Sequence, residues 1–152
     1  MKKFFPVLLF ALCALFYSGC DRCKYLHGAV INFHLVEEVN PENCVEYTAP
    51  EGYKCLVRET PELRICHLQK AVVVDDQYGN QVVQITFCPV DAERFTELTR
   101  QNVGRRLAII IDGKLYCAPV ILECITGNII QISGMADKAE AEALVRRLCD
   151  SK

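Results

Sequence analysis

Beyond residue 19, no segment of this 152-residue chain is both long and uniformly apolar, so that stretch offers no transmembrane helix. No cluster of Lys and Arg marks a nucleic-acid surface; 17 basic side chains stand against 19 acidic ones, a formal net charge of −2. A nucleophile elbow, a phosphate-binding glycine loop and a zinc-protease helix are all missing. The single C-x-x-C, Cys20-Asp21-Arg22-Cys23, has no second pair and no His-x-x-x-His to complete a zinc site. Of His27, His34 and His67, only His67 adjoins a cysteine, Cys66, and adjacent residues are not a usual ligand pair. These absences give no support to catalysis, a metal or a cofactor. They direct attention to the fold and to binding.

What is present begins with an export signal. Lys2 and Lys3 precede an apolar run from Phe4 to Phe16, followed by the small residues Ser18 and Gly19. The run is shorter than the roughly 18 residues that span a bilayer, so a cleaved signal over 1–19 is expected. Tyr17-Ser18-Gly19-Cys20 resembles a bacterial lipobox, which implies acylation of Cys20 and a lipid tether to the membrane. Tyr17 departs from the aliphatic residue usual there; an ordinary secretory signal is the alternative. Asp21 resembles the residue that retains some Gram-negative lipoproteins in the inner membrane. Residues 20–28 then form a short tether. A thiol–disulfide exchange role for Cys20 and Cys23 is disfavoured, since no helix-like pattern follows to lower a thiol pKa.

The chain has ten cysteines. Without Cys13 in the signal and Cys20 under lipid, the candidates for disulfides are Cys23, Cys44, Cys55, Cys66, Cys88, Cys117, Cys124 and Cys149. An even set in an exported protein is consistent with an oxidising compartment, each bond contributing roughly 2–4 kcal/mol. Connectivity is open, because eight cysteines allow about 105 pairings. Cys88 and Cys117 lie in apolar strand-like runs and also suit the role of small buried hydrophobes. Removing the signal takes two basic residues and no acidic ones, leaving a net charge of about −4. Residues 29–152 fit one domain.

Periodicity predicts its elements. Ala29–Val36, Tyr53–Arg58, Leu63–Leu68, Lys70–Asp75 and Gln81–Phe87 read as strands, the last two a hairpin around Asp76–Asn80. Residues 37–51 read as a surface loop anchored by Cys44. A helix is predicted over 91–102, with Asp91 as N-cap, an apolar stripe of Ala92, Phe95, Leu98 and Val103, and Gly104 ending it. Arg106–Ile111 and Lys114–Cys117 flank Asp112-Gly113, whose chemistry favours a type I′ turn. Ile129–Ile132 is a last strand. The final helix carries an Asp137/Glu140 capping box and a face of Ala141, Leu144, Val145 and Leu148, with Arg146 and Arg147 as solvated charges at its end. The fold class is α+β: a mainly antiparallel sheet with two helices on one face.

Catalytic candidates dissolve on inspection. Glu37-Glu38 and Asp75-Asp76 are adjacent carboxylates, which point to opposite faces of a strand, and both flank turns or loops. Asp112 is explained by its turn, and His34 by a place within a strand. No catalytic residue is assigned.

A set of pieces in order carries a family resemblance over roughly Lys70 to Leu148: Val73-Val74-Asp75 to Ile85-Thr86-Phe87; Arg94-Phe95 with Leu98-Thr99; Asn102-Val103-Gly104-Arg105-Arg106-Leu107-Ala108-Ile109; Asp112-Gly113-Lys114; Ala118-Pro119-Val120-Ile121; Ile125-Thr126-Gly127; Gln131-Ile132-Ser133-Gly134. The set resembles the head subdomain of the first periplasmic domain of SecD, an accessory subunit of the protein-export translocon, with its core at 70–149. The resemblance implies an α+β module that is not itself an enzyme. SecD's transmembrane helices have no counterpart, and the cysteines depart from its pattern. What the resemblance implies here is a membrane-tethered module that binds translocon subunits or unfolded exported polypeptides; the alternative is an envelope lipoprotein that reuses the fold as a structural or ligand-binding domain. Guest-strand addition would fall first on Lys114–Ile121 and Val120–Ile132.

Overall fold

The computed structural model describes residues 24–25, 29–40 and 42–149. The signal, Cys20 and Cys23 therefore lie outside the described residues. In chain order the elements are β1 (Lys24–Tyr25), β2 (Ile31–Leu35), β3 (Cys44–Thr48), β4 (Lys54–Arg58), β5 (Leu63–Ile65), β6 (His67–Asp75), β7 (Gln81–Phe87), α1 (Pro89–Gln101), β8 (Leu107–Ile111), β9 (Lys114–Cys117), β10 (Ile129–Ile132) and α2 (Lys138–Cys149). Among the described residues the strands form two four-stranded sheets, β1-β6-β7-β10 and β5-β2-β8-β9, and a separate β3-β4 hairpin. Every pairing is antiparallel. The expected α+β class with two helices stands, its strands shared between sheets rather than gathered in one.

The two turns that define the long hairpins follow from their residues. Asp76 Oδ1 accepts the Tyr78 and Asn80 backbone N–H groups, both at 2.8 Å, and Gly79 takes a φ of +81°. Hydrogen bonds from Asn80 hold the Asp76 carboxyl below its ordinary pKa. At the other hairpin, Asp112 and Gly113 have φ of +48° and +77°, the two positive values that a type I′ turn demands. The β8–β9 register slips between Ile109 and Ile110, leaving Tyr116 as the extra residue of a bulge. That slip sends the Tyr116 ring into the main core.

Both four-stranded sheets and both helices feed that core. Phe33, Phe87 and Phe95 meet in it with ring centroids 5.0–6.1 Å apart, in the tilted and edge-on arrangements aromatic rings prefer. The uninterrupted apolar run of β8 is buried at all five positions because both of its faces are covered. Leu107, Ile109 and Ile111 face the main core, whereas Ala108 and Ile110 pack under the β3–β4 hairpin with Val57, Cys55 and Leu115.

The structure corrects several local expectations. Residues 37–51 are not a loop throughout, since Cys44–Thr48 pairs with Lys54–Arg58 along its whole length. This strand is mostly exposed, so its polar composition concealed it. Leu63–Leu68 is two strands; the chain passes from one sheet to the other at Cys66. Helix α1 starts at Pro89, with Cys88 rather than Asp91 as N-cap. Proline suits the first helical turn because its missing N–H would have no partner there. Asp91 is buried inside that turn and pairs with Arg94 at 3.1 Å. Val103 leaves the apolar stripe and is 52% exposed. The capping box forms with a shift: Glu140 N–H donates to Asp137 Oδ1 at 2.8 Å, while Glu140 Oε2 accepts from Ala136 N–H at 2.7 Å. Arg147 is exposed, as expected of a helix-end charge, and it also pairs with Asp112, which ties α2 to the β8–β9 turn.

Cys44, Cys55, Cys66, Cys117, Cys124 and Cys149 are free thiols in the structure, and Cys88 is disulfide-bonded. Cys55 belongs to the small core under the hairpin, and Cys117 packs against the main core. Burial raises both thiol pKa values. Cys124 and Cys149 instead lean on the Thr96 and Ala71 carbonyls.

Candidate functional site, an apolar groove between two sheet edges

After β9 the chain continues along the start of β8 without forming a regular strand. Leu107 N–H donates to Pro119 O (2.9 Å), Ile121 N–H to Arg105 O (2.8 Å) and Gly104 N–H to Ile121 O (2.7 Å). Arg106 Nε adds a bond to Ala118 O at 3.1 Å. These bonds turn Pro119 and Ile121 toward β8, so the main-chain groups of Val120 point away from it. Pro119 has no N–H to offer and interrupts the ladder at this edge.

The chain then loops past α1 to reach β10. Thr99 anchors the loop: its fully buried hydroxyl donates to Thr96 O and accepts Ile125 N–H, each at 3.0 Å. Gly127, at φ +101°, supplies the left-handed bend that a side chain would oppose. Among the described residues strand β10 is the edge of its sheet, paired only with β7. Phe87 N–H donates to Asn128 O at 2.7 Å, and the register sets Ile130 opposite Ile85 and Ile132 opposite Val83. Hydrogen-bonded pairs alternate along an antiparallel ladder, so Ile129 and Gln131 turn their N–H and C=O groups to the open side.

Between β10 and residues 119–125 lies a groove of about 430 Å³. Phe95, Leu107 and Ile109 line it, and Val120, Ile125 and Ile129 stand at its margins. These margins are unusually apolar for surface: Leu122 is 84% exposed, Ile129 52%, Val120 47% and Ile125 37%. Scattered exposed aliphatics are ordinary, but a contiguous set around a groove is less so, which makes this groove the candidate site. Both segments expected to present open edges, Lys114–Ile121 and Val120–Ile132, border it. Leu122 and Ile125 fall inside the expected Val120–Ile132 segment, but neither was named there as a binding residue, although apolar residues in a stretch with no strand or helix period were the available signal.

The remaining polar candidates are structural. His34 is buried, with Nδ1 2.6 Å from Arg58 O, joining β2 to β4. Glu37 is shared by Arg58 and Arg105 at 3.4 and 3.6 Å. Asp75 accepts from Gln81, and Asp112 from Val30 N–H at 3.1 Å. A second depression of about 570 Å³ lies beside Lys114, Glu140 and the Asp76 turn. Of its charged residues, Lys114 pairs with Glu140 and Asp76 with Asn80, while Glu51 stands exposed at the surface. Among the described residues no group of three or more His, Cys, Asp and Glu is arranged to hold a metal ion. No described helix is long and apolar enough to cross a membrane.

The fold that carries this groove has known relatives. The Thermus thermophilus protein translocase subunit SecDF is 47% identical over 89 residues, 57% of this chain and 12% of the relative. SecD of Magnetococcus marinus is 35% identical over 144 residues, 82% of this chain and 27% of that protein. A solved structure of SecDF, a membrane component that enhances protein export, matches at TM-score 0.64 and 33% identity, covering 79% of this chain and 61% of that one. Crystalline SecDF in a super-membrane-facing form gives the same TM-score of 0.64 at 32% identity, over 18% of its own chain. This chain thus spans between about an eighth and a quarter of those two curated relatives. The SecDF P1 head subdomain matches residues 42–149, and the chain belongs to that family.

Proposed function

We propose that this chain is a non-catalytic, extracytoplasmic binding module that holds polypeptides emerging during protein export, tethered to the membrane through a lipid on Cys20. The observation that carries the reading is the apolar groove between two sheet edges, placed on a head-subdomain fold. Unfolded clients share little sequence but all present apolar side chains and unpaired main chain, and the groove offers complements to both. The names of the relatives supply the setting, since they are subunits of the protein translocase. Proton-driven pulling is no part of the proposal, because the match covers the head alone.

Photocrosslinking from position 122 in intact cells tests the binding role. Recovery of newly exported chains or translocon subunits supports it, whereas recovery of cell-wall or outer-membrane partners alone overturns it in favour of a structural envelope lipoprotein. Radioactive fatty-acid labelling tests the tether. Label should enter the native chain and be absent from Cys20→Ser; equal labelling of both would refute the anchor.

A further inference from the structure

From the register of β10 we infer that the groove takes its client as an added β-strand, hydrogen-bonded to the main chain of Ile129 and Gln131. This rests on the polypeptide-binding reading above and names the class of segment bound. The ladder with β7 uses the main-chain groups of Asn128, Ile130 and Ile132, so those of Ile129 and Gln131 face outward. Across the groove, the hydrogen bonds of Pro119 and Ile121 to residues 104–107 leave the main-chain groups of Val120 turned away from β8. A folded helix cannot meet such an edge, because its own N–H and C=O groups are already paired. An extended segment can, and it advances about 3.4 Å per residue with side chains alternating between faces. One set of alternate side chains then lies against Phe95, Leu107 and Ile109, and the other faces solvent. The client class is therefore extended segments with aliphatic or β-branched residues at every second position, recognised without regard to the intervening residues.

Two comparisons on the full chain test this, using a fluorescently labelled, end-capped peptide of alternating Val and Thr. In the first, the central amides of the peptide are replaced by esters, which removes N–H donors and keeps every side chain. Strand addition predicts an affinity loss of about ten-fold or more, the scale of an unmade buried hydrogen bond. In the second, Gln131→Pro removes one outward N–H at an edge position where proline is tolerated, while Gln131→Ala removes only the side chain. Gln131→Pro should weaken binding about ten-fold and Gln131→Ala by less than about two-fold. Equal affinity for the amide and ester peptides, or equal losses in the two variants, overturns strand addition and leaves an apolar groove that recognises side chains alone. If neither peptide binds the native chain, the polypeptide-binding reading falls with it. Circular dichroism confirms that each variant is folded, and the ester comparison decides on the native protein if Gln131→Pro is not.

Discussion

Gly134 lies so close to Tyr116 that a Cβ built on it would overlap the Tyr116 carbonyl oxygen and meet the Pro50 ring at 3.3 Å. Its φ of +89° is also one that side chains resist. Two penalties therefore coincide at the junction between β10, the bulge of β9 and the tip of the β3–β4 hairpin. Gly134→Ala is expected to cost about 2–4 kcal/mol, from the strained dihedral and the displaced backbone together. Gly127→Ala has an unfavourable φ of +101° but open space around it, and should cost only about 1 kcal/mol. Urea unfolding of both variants measures the difference; equal losses would show that the close approach to Tyr116 is not strained by a methyl group.

The hairpin geometry at Asp112-Gly113 was legible because one dipeptide dictates both dihedrals, and β7 and β9 were legible because proline follows close behind each. The β3 strand was not. Its side chains face water on much of their surface, so pairing with β4, rather than burial, makes it a strand, and pairing leaves little trace in a single sequence. The groove was half legible. Open edges could be anticipated from Pro119 and Gly127, but the meeting of β10 with residues 119–125 depends on contacts far apart in the chain. Likewise the Thr99 hydroxyl gave no sign that it would serve a loop 26 residues away.

That hydroxyl carries the second prediction. Thr99→Val preserves shape but deletes the acceptor for Ile125 N–H and the donor to Thr96 O. Leaving this part-buried N–H without its partner costs about 1 kcal/mol, the low end of the penalty for an unpaired donor. The loss should be local: hydrogen exchange of the Ile125 amide accelerates, while amides of the β6–β7 ladder keep their protection. Acceleration throughout the domain would mean that Thr99 supports the whole core rather than one wall of the groove.

Acid sensitivity follows from Glu140. The Ala136 backbone N–H, then Lys114, holds its carboxyl below the ordinary carboxylate pKa. A group whose folded pKa is depressed contributes stability above its unfolded value, about 4.3, and loses it as pH falls through the lower folded value. The start of α2 should therefore weaken between about pH 4.5 and the folded pKa. In Glu140→Gln the domain is less stable at neutral pH and shows a flatter stability profile below about pH 4.5. Urea midpoints collected across this range check both statements, and an unchanged acid slope in the variant would contradict the assignment.

The thiols differ in what surrounds them, and alkylation should report it. Cys55 is 5% exposed beneath the β3–β4 hairpin, and Cys117 packs against the main core. Burial pushes both pKa values up, which withholds the reactive thiolate as well as access to it. Cys44, beside the carbonyls of Asn40 and Glu42 near the hairpin's outer end, is only half-buried, on a strand that is mostly exposed. With folded protein in the reduced form, iodoacetamide should modify Cys44 well before Cys55 and Cys117, as read by mass spectrometry of digests. Opening the hairpin selectively should release Cys55 before Cys117, because only Cys55 belongs to the small core that the hairpin covers. Simultaneous modification of Cys55 and Cys117 at every denaturant concentration would show instead that the two cores open as one unit.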